Sequence, residues 1–576
     1  MDYNYSDELN VQLLLALFKK YNIRRVIASP GAINIAVVAS MQQDPYFQMY
    51  SCVDERSAAY LACGLAEETG EPVVLSCTGA TASRNYMSAL TEAYYRRLPV
   101  IALTSSRDKA YVGHLYPQVT DRQNHPNDII VDFAHIQIIK DNTDRWDVSI
   151  KLNRVLNSLK KGPVHINLSR SFDGEFNTKV LPEPTVIPLI EKFVNAPSIP
   201  VGAKVGVFVG EHKRWTPEET KALDCFCASH NAIVVCDHTS KFHGESGINP
   251  TLMYYQNSFS TVSSRFDILV HIGGVSGAYL IPEATEVWRV NEEGLFQDYF
   301  KKLKYVFKSD EKSFFEYYTT KDSINDLSLV NACREEYEKI YKQIPELPFS
   351  NLYIGKEIGE KFPDGSVLYL GILNTLRTWN YIKINKNVDV YSNVGGFGID
   401  GTMSSLIGAS LASADKLYFC VLGDLSFFYD MNSLGNRHIG NNVRIMVVNN
   451  GKGIEFRNYD HEAAFMGEDA DKYVAAAGHW GNKSENLVKH FSEDLGYEYI
   501  SAKNKEEFAR VVDGFLTQEK KGKPIVFEVF TDSEDESNSL RIIRNTEKNK
   551  IGIIKDGVRS VVGEKGVKII RSILKK

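Results

Sequence analysis

Three doubly wound α/β domains with mostly parallel sheets are what this sequence predicts, and three observations carry the expectation. Short apolar runs of strand length alternate with helical patterns along most of the chain, as parallel strands joined by helical crossovers require. Proline-rich breaks at "LPEPTVIP" (181–188) and "QIPELPFS" (343–350) divide that alternation into three stretches. The length, 576 residues, exceeds what a single hydrophobic core supports.

In the first stretch, residues 11–21 read as helix, 25–28 as strand, 57–68 as helix, 73–77 as strand, 81–96 as helix and 100–104 as strand, with "GPVHINLS" (162–169) extended. Strands of the second stretch are "KVGVFVG" (204–210), "AIVVCD" (232–237), "DILVHIGG" (267–274) and "EVWRVN" (286–291). No G-x-G-x-x-G follows any of them, so a structural rather than a dinucleotide-binding role is expected there. Strands of the third are "SVLYLG", "DVYSN", "LYFCVLG", "VRIMVVNN" and "PIVFEVF". The expected domains are 1–180, 181–345 and 346–545, followed by a tail, 546–576, whose basic residues and apolar spacing predict an amphipathic helix.

Composition narrows the function classes. With 43% hydrophobic and 24% charged residues and a formal net charge of -6, the chain reads as an ordinary globular protein with no reason to bind nucleic acid. No apolar run approaches the ~20 residues of a membrane span, and the acidic start "MDYNYSDELN" is unlike a signal peptide, so a cytoplasmic protein is expected. The eight cysteines lie mostly in apolar segments, and the C-x-C at Cys225 and Cys227 lacks further thiols or a histidine pair to make a zinc set; both are expected to be buried.

The chemistry concentrates in "LYFCVLGDLSFFYDMNSLGNRHIGNNVRIMVVNNGKGIEF" (417–456). One buried strand ends at Gly423 and Asp424, and the next ends at Asn449 and Asn450. Right-handed crossovers keep such strands parallel, so both ends open at the carboxyl edge where α/β sheets bind ligands. A hard divalent cation takes oxygen ligands and bridges to phosphates. Asp424, Asn450 and a backbone carbonyl at Lys452 supply such a set, and the amides of Leu425 and Ser426 open a helix toward phosphate oxygens. Turn chemistry alone would also place Gly, Asp and Asn at strand ends.

"GD" with the second Asn of "NN" 26 residues after the aspartate resembles the binding motif of the thiamine diphosphate-dependent enzymes. There, aspartate, asparagine and a backbone oxygen hold Mg2+ (or Mn2+) against the diphosphate. Leu425 stands where many members have glycine. That variant, with "GDLSFFYD", "NVGGFGIDGTMSS" and "ERSAAYLACGLA", resembles the branch of menaquinone-pathway synthases (MenD) that join 2-oxoglutarate to isochorismate, and the similarity runs through nearly all of residues 1–540. The resemblance implies pyrimidine-binding, central and diphosphate-binding domains, and a homodimer or homotetramer with its active site at a subunit interface.

It also gives Glu55, in "VDERSAAYLACG", a role. Alone, a carboxylate at a helix start complements the helix dipole. The family places a glutamate here against the pyrimidine ring nitrogen, and a carboxyl in an apolar setting can share a proton with that nitrogen. Ser57, Ala58, Ala59 and Gly64 are expected to let a helix pack closely beside it. Ile399 in "GFGIDG" resembles the apolar wedge that bends the cofactor, and Gly398 offers a carbonyl to the aminopyrimidine.

The cofactor's carbon nucleophile attacks a 2-oxo acid, so the protein's task is orientation, for which the bidentate fork of arginine suits a carboxylate. Arg107 in "LTSSR", Arg377 in "LNTLRTW" and Gln118 in "YPQVT" match substrate-side positions of the synthases, and Arg84 is a further pocket candidate. Glu455 in "GKGIEF" is a candidate proton donor; His114 and His125 read as ordinary solvated or core histidines. Two departures point away from a polyanionic substrate. "SPGAIN" has Ala32 and Ile33 where the synthase pattern has Ser-Arg, and Val394 stands in place of an arginine. The expected activity is decarboxylation of a 2-oxo acid with transfer to an acceptor other than isochorismate. The alternatives are the menaquinone synthase itself and a non-catalytic relative that keeps the fold.

Overall fold

Continuous runs of Val, Ile, Leu and Phe form the interior strands, because a parallel sheet covered on both faces needs apolar side chains in both directions. The computed structural model describes residues 4–79, 81–120, 125–171, 174–256, 261–319, 326–479, 483–520 and 522–547. The basic tail from residue 548 onward, expected as an amphipathic helix, lies outside them. Packing divides the chain into two units: Met1–Ala196 with Glu293–Lys308, and Pro197–Glu292 with Ser309–Lys576.

The first unit carries a sheet whose strands run, edge to edge, Gln48–Ser51, Arg25–Ala28, Val73–Thr78, Val100–Arg107, Val164–Arg170 and Asp132–Ile136, every neighbour parallel. Helix Leu9–Lys20 buries every residue from Asn10 to Phe18. On helix Glu55–Thr69 the packing face is Ala58, Ala59, Ala62, Cys63 and Ala66. Ser57 and Gly64 do not belong to it: both are exposed, and no atom comes within 4 Å of a Cβ built on Gly64. The helix expected over 81–96 is two pieces, Thr81–Asn85 and Met87–Arg96, parted at Tyr86, whose ring is fully buried. A short strand Leu189–Ile190 pairs in parallel with Leu303–Lys308 over a small core of Ile187, Leu303 and Val306.

The second unit carries two further parallel arrays. One runs Gly247–Ile248, Ile233–Cys236, Val205–Val209, Arg265–Ile272, Glu283–Asn291. The other runs Asp389–Tyr391, Val367–Leu370, Tyr418–Gly423, Val443–Asn449, Ile525–Phe530, Glu498–Ala502. The α/β class read from the sequence is therefore the observed one. Cys225 is exposed rather than buried, while Cys227 is in the core: two residues along a helix turn a side chain about 200° around the axis. Among the described residues no helix is long and apolar enough to cross a membrane.

Candidate active site

Register brings the two ends of the motif together. Strand Tyr418–Gly423 pairs with Val443–Asn449 so that Gly423 faces Val448, and the chain leaves the first strand at Asp424 beside the turn that begins at Asn450. The backbone N–H groups of Asp424, Leu425 and Asn450 all favour the charged form of the Asp424 carboxyl. Asp424 is only 3% exposed. Burial pushes its carboxyl up to about 7 against the pull of those N–H groups, and the nearby Glu528 acts in the same direction as burial.

Asn450 offers the complementary feature. Its Oδ1 is buried with no hydrogen-bond partner among the described residues, a condition that native structures rarely leave unexplained. Gly451, at φ +77, turns the chain just after it. The Gly451 N–H donates to Asn449 Oδ1 at 3.2 Å, Asn449 Nδ2 donates to Glu528 Oε1 at 2.7 Å, and the Tyr499 hydroxyl donates to Glu528 Oε2 at 2.7 Å. In this register Tyr499, Glu528 and Asn449 lie on one face of three adjacent strands. The Lys452 ammonium is paired with Asp471 at 2.7 Å, which leaves only its carbonyl as a ligand candidate.

These residues fit a cation bridged to a diphosphate. The buried carboxylate wants a counter-charge, the orphaned amide oxygen wants a donor or a metal, and a Cβ built on Gly423 would meet no atom within 4 Å, so the strand end is open. Among the described residues no group of three or more His, Cys, Asp or Glu is gathered for a metal. A hard ion here would take one carboxylate and neutral oxygens. The loop of Gly398 and Ile399 is tied to the same place: Ser426 Oγ donates to the Ile399 carbonyl at 2.5 Å, and Asp430 accepts from the Ser404 N–H at 2.7 Å.

On the same carboxyl edge, Arg377 from helix Asn374–Trp379 forms an ion pair with Glu455. The guanidinium carbon of Arg377 lies 4.5 Å from the ring centroid of Tyr279, whose ring is 6.1 Å from that of Phe397. Leu373, Phe397 and Tyr279 all have positive φ, between 54° and 66°, a costly backbone state for bulky residues that tends to mark functional sites. Val394 is buried at 3%, and it lies with Leu376 against the backbone of Gly277.

In the first unit Glu55 is the first residue of its helix, capped by Asp54, whose carboxylate accepts from the Arg56 N–H. Glu55 is half-buried, and Asn85 Nδ2 donates to its Oε2 at 3.4 Å. Arg107 ends strand Val100–Arg107 with its guanidinium 6.0 Å from the Tyr116 ring centroid. Gln118 is exposed with φ +62, and His114 is exposed. Arg84 is exposed and lines a small cavity with Tyr86, Thr104, His125 and His165. His125 Nε2 and His165 Nδ1 are 2.8 Å apart, and His165 Nε2 is 2.7 Å from Thr104 Oγ1. Sequence reasoning singled out His125 without this chain, and it missed Tyr279, Tyr499 and Glu528, which no motif marks.

Comparison with known proteins adds two findings. Residues 10–126 match the family described as thiamine pyrophosphate enzyme, N-terminal TPP binding domain. The 2-succinyl-5-enolpyruvyl-6-hydroxy-3-cyclohexene-1-carboxylate synthase of Bacteroides thetaiotaomicron is 27% identical, covering 93% of this chain and 98% of its own length. That of Phocaeicola vulgatus is 28% identical, covering 95% and 100% respectively. The enzyme of the same name from Christiangramia forsetii is 28% identical over 90% of this chain and 95% of its own.

Proposed function

We propose that this chain, a thiamine diphosphate-dependent enzyme similar to those synthases along nearly its whole length, decarboxylates a 2-oxo acid and transfers the remaining acyl unit to an acceptor other than isochorismate. The observation that carries the cofactor site is the meeting of Asp424 with Asn450, whose side-chain oxygen is buried and unpartnered. Asp424, Asn450 and the Lys452 carbonyl would hold Mg2+, with Gly423, Leu425 and Ser426 beside the diphosphate. The cofactor supplies the carbon nucleophile and electron sink that a 2-oxo acid needs.

The protein's own residues bind and orient. Ser426 fixes the carbonyl of Ile399, so the wedge and the neighbouring Gly398 carbonyl are held relative to the diphosphate end. Glu55 would hold a proton at the pyrimidine ring nitrogen. Arg107, Gln118 and Arg84 would line the substrate side from the pyrimidine-binding domain, 1–180, with 181–345 central and 346–545 binding the diphosphate. Assembly as a homodimer or homotetramer is supported by apolar side chains left exposed around Glu55, among them Val53 at 76%, Tyr60 at 48% and Leu61 at 56%.

The acceptor reading draws on Ile33 and Val394, each 3% exposed where the synthases' pattern suggests cations. A buried aliphatic side chain provides no charge-assisted bond, each of which contributes roughly 1.5 to 3 kcal/mol. The synthase activity named for the relatives is the second reading, supported by their coverage of 93% and 95% of the chain. Carbon dioxide release from pyruvate and from 2-oxoglutarate, each with and without isochorismate, separates the two. Release without isochorismate supports the proposal, and an isochorismate-dependent product overturns the acceptor assignment.

A further inference from the structure

Two more buried polar atoms lack partners among the described residues at the edge that holds Asn450: Nε of Arg377 and Oε2 of Glu455. Glu455 is 8% exposed and lies five residues beyond Asn450, in the turn Ile454–Arg457 that continues the same loop. Its other oxygen, Oε1, pairs with an Arg377 guanidinium nitrogen, and that guanidinium is covered by the Tyr279 ring at 4.5 Å. The positive charge that would attract a substrate carboxylate is therefore already matched by an internal one. Besides the guanidinium's other N–H groups, the pair leaves Nε of Arg377 and Oε2 of Glu455 buried and without a protein partner among the described residues.

Such a pair recognises an uncharged group that can both accept and donate, as a hydroxyl does. A second carboxylate brought to it would face the Glu455 carboxylate, whose side chain is 10% exposed, and the like charges would repel.

We infer that Glu455 is a specificity residue: by neutralising Arg377 it makes this subsite accept the uncharged end of a substrate and reject a carboxylate. The inference rests on the proposed thiamine diphosphate reaction and deepens it, because it excludes dicarboxylic 2-oxo acids such as 2-oxoglutarate as the preferred donor. It also assigns Glu455 a substrate-sorting role distinct from that of a proton donor.

The test uses full-length protein loaded with thiamine diphosphate and Mg2+, titrated by calorimetry with acetylphosphonate and succinylphosphonate. These analogues of pyruvate and 2-oxoglutarate cannot lose carbon dioxide, and they differ by a distal carboxylate. The wild-type protein is expected to bind succinylphosphonate about tenfold or more weaker than acetylphosphonate, and Glu455→Gln to erase or invert that ratio while still binding the cofactor. A merely structural role for Glu455 would weaken both analogues together. A wild-type preference for succinylphosphonate, a ratio unchanged in Glu455→Gln, or no binding of either analogue to cofactor-loaded protein overturns the inference. Failure to bind thiamine diphosphate at all would instead overturn the reading beneath it.

Discussion

The Ser426 hydroxyl donates to the carbonyl of Ile399 at 2.5 Å, joining the helix that opens at Asp424 to the loop that presents Ile399. One short contact thus couples the two ends of the proposed cofactor site within the second unit. Ser426→Ala deletes the donor and leaves the half-buried carbonyl unpaired. A lost hydrogen bond of this kind is worth about 0.5 to 1.5 kcal/mol, so thiamine diphosphate should bind about two- to thirteenfold more weakly by calorimetry with the far-UV spectrum unchanged. Unaltered affinity would remove Ser426 from the site.

Tyr499 and Glu528 stand one layer behind the loop proposed to hold the metal. Both oxygens of the fully buried Glu528 carboxylate are satisfied, one by Asn449 and one by Tyr499. Tyr499→Phe leaves one oxygen without its donor and should cost about 1 to 3 kcal/mol of stability in urea unfolding. A variant as stable as the parent would contradict this arrangement.

Glu536 gives the clearest pH dependence. Burial pushes its carboxyl up from 4.5 to about 7, while the Thr531 hydroxyl and the Asn351 N–H hold it down in part. Between those two values the folded state keeps a proton that the unfolded chain has lost, so stability falls as pH rises from about 4.5 to about 7. The loss attributable to this group is on the order of 3 kcal/mol at most. Gln mimics the protonated acid, so Glu536→Gln should show a flatter stability profile between pH 5 and 8 than the parent, read by denaturant melts. Parallel profiles would contradict the assignment.

Glu55→Gln keeps the size of the side chain at the helix start and removes its proton-sharing ability. Cofactor affinity should change little, while exchange of the thiazolium C2 proton in heavy water, followed by NMR, should slow by about a hundredfold or more. Exchange at the parent rate would remove Glu55 from the chemistry.

The interior of this fold was legible because fully buried parallel strands must be apolar on both sides. Val100–Arg107 and Tyr418–Gly423, each buried along all but its last residue, announce themselves as continuous runs. The edge strands Gln48–Ser51 and Glu498–Ala502 do not. They are mostly exposed or half-exposed, and their polar residues carry no strand period. Asp424 and Asn450 were legible for a related reason: each closes a readable strand, so the crossover rule alone brings them to one edge. The support of Asn449 by Glu528 and Tyr499 depends on register across three strands, and the Arg377–Glu455 pair on how two loops meet above the sheet. Neither is written in local sequence, and the unpartnered atoms on which the proposed substrate side rests exist only once the chain is folded.

The central claim is that Asp424 and Asn450 together hold a cation against the diphosphate of thiamine diphosphate. Its most direct measurement is calorimetric titration of thiamine diphosphate into the parent protein and into Asp424→Ala, each with Mg2+ and again with a chelator. Saturable binding by the parent that is lost in Asp424→Ala and on chelation is the result this account predicts. Binding that survives both, or that never occurs in the parent, would contradict it.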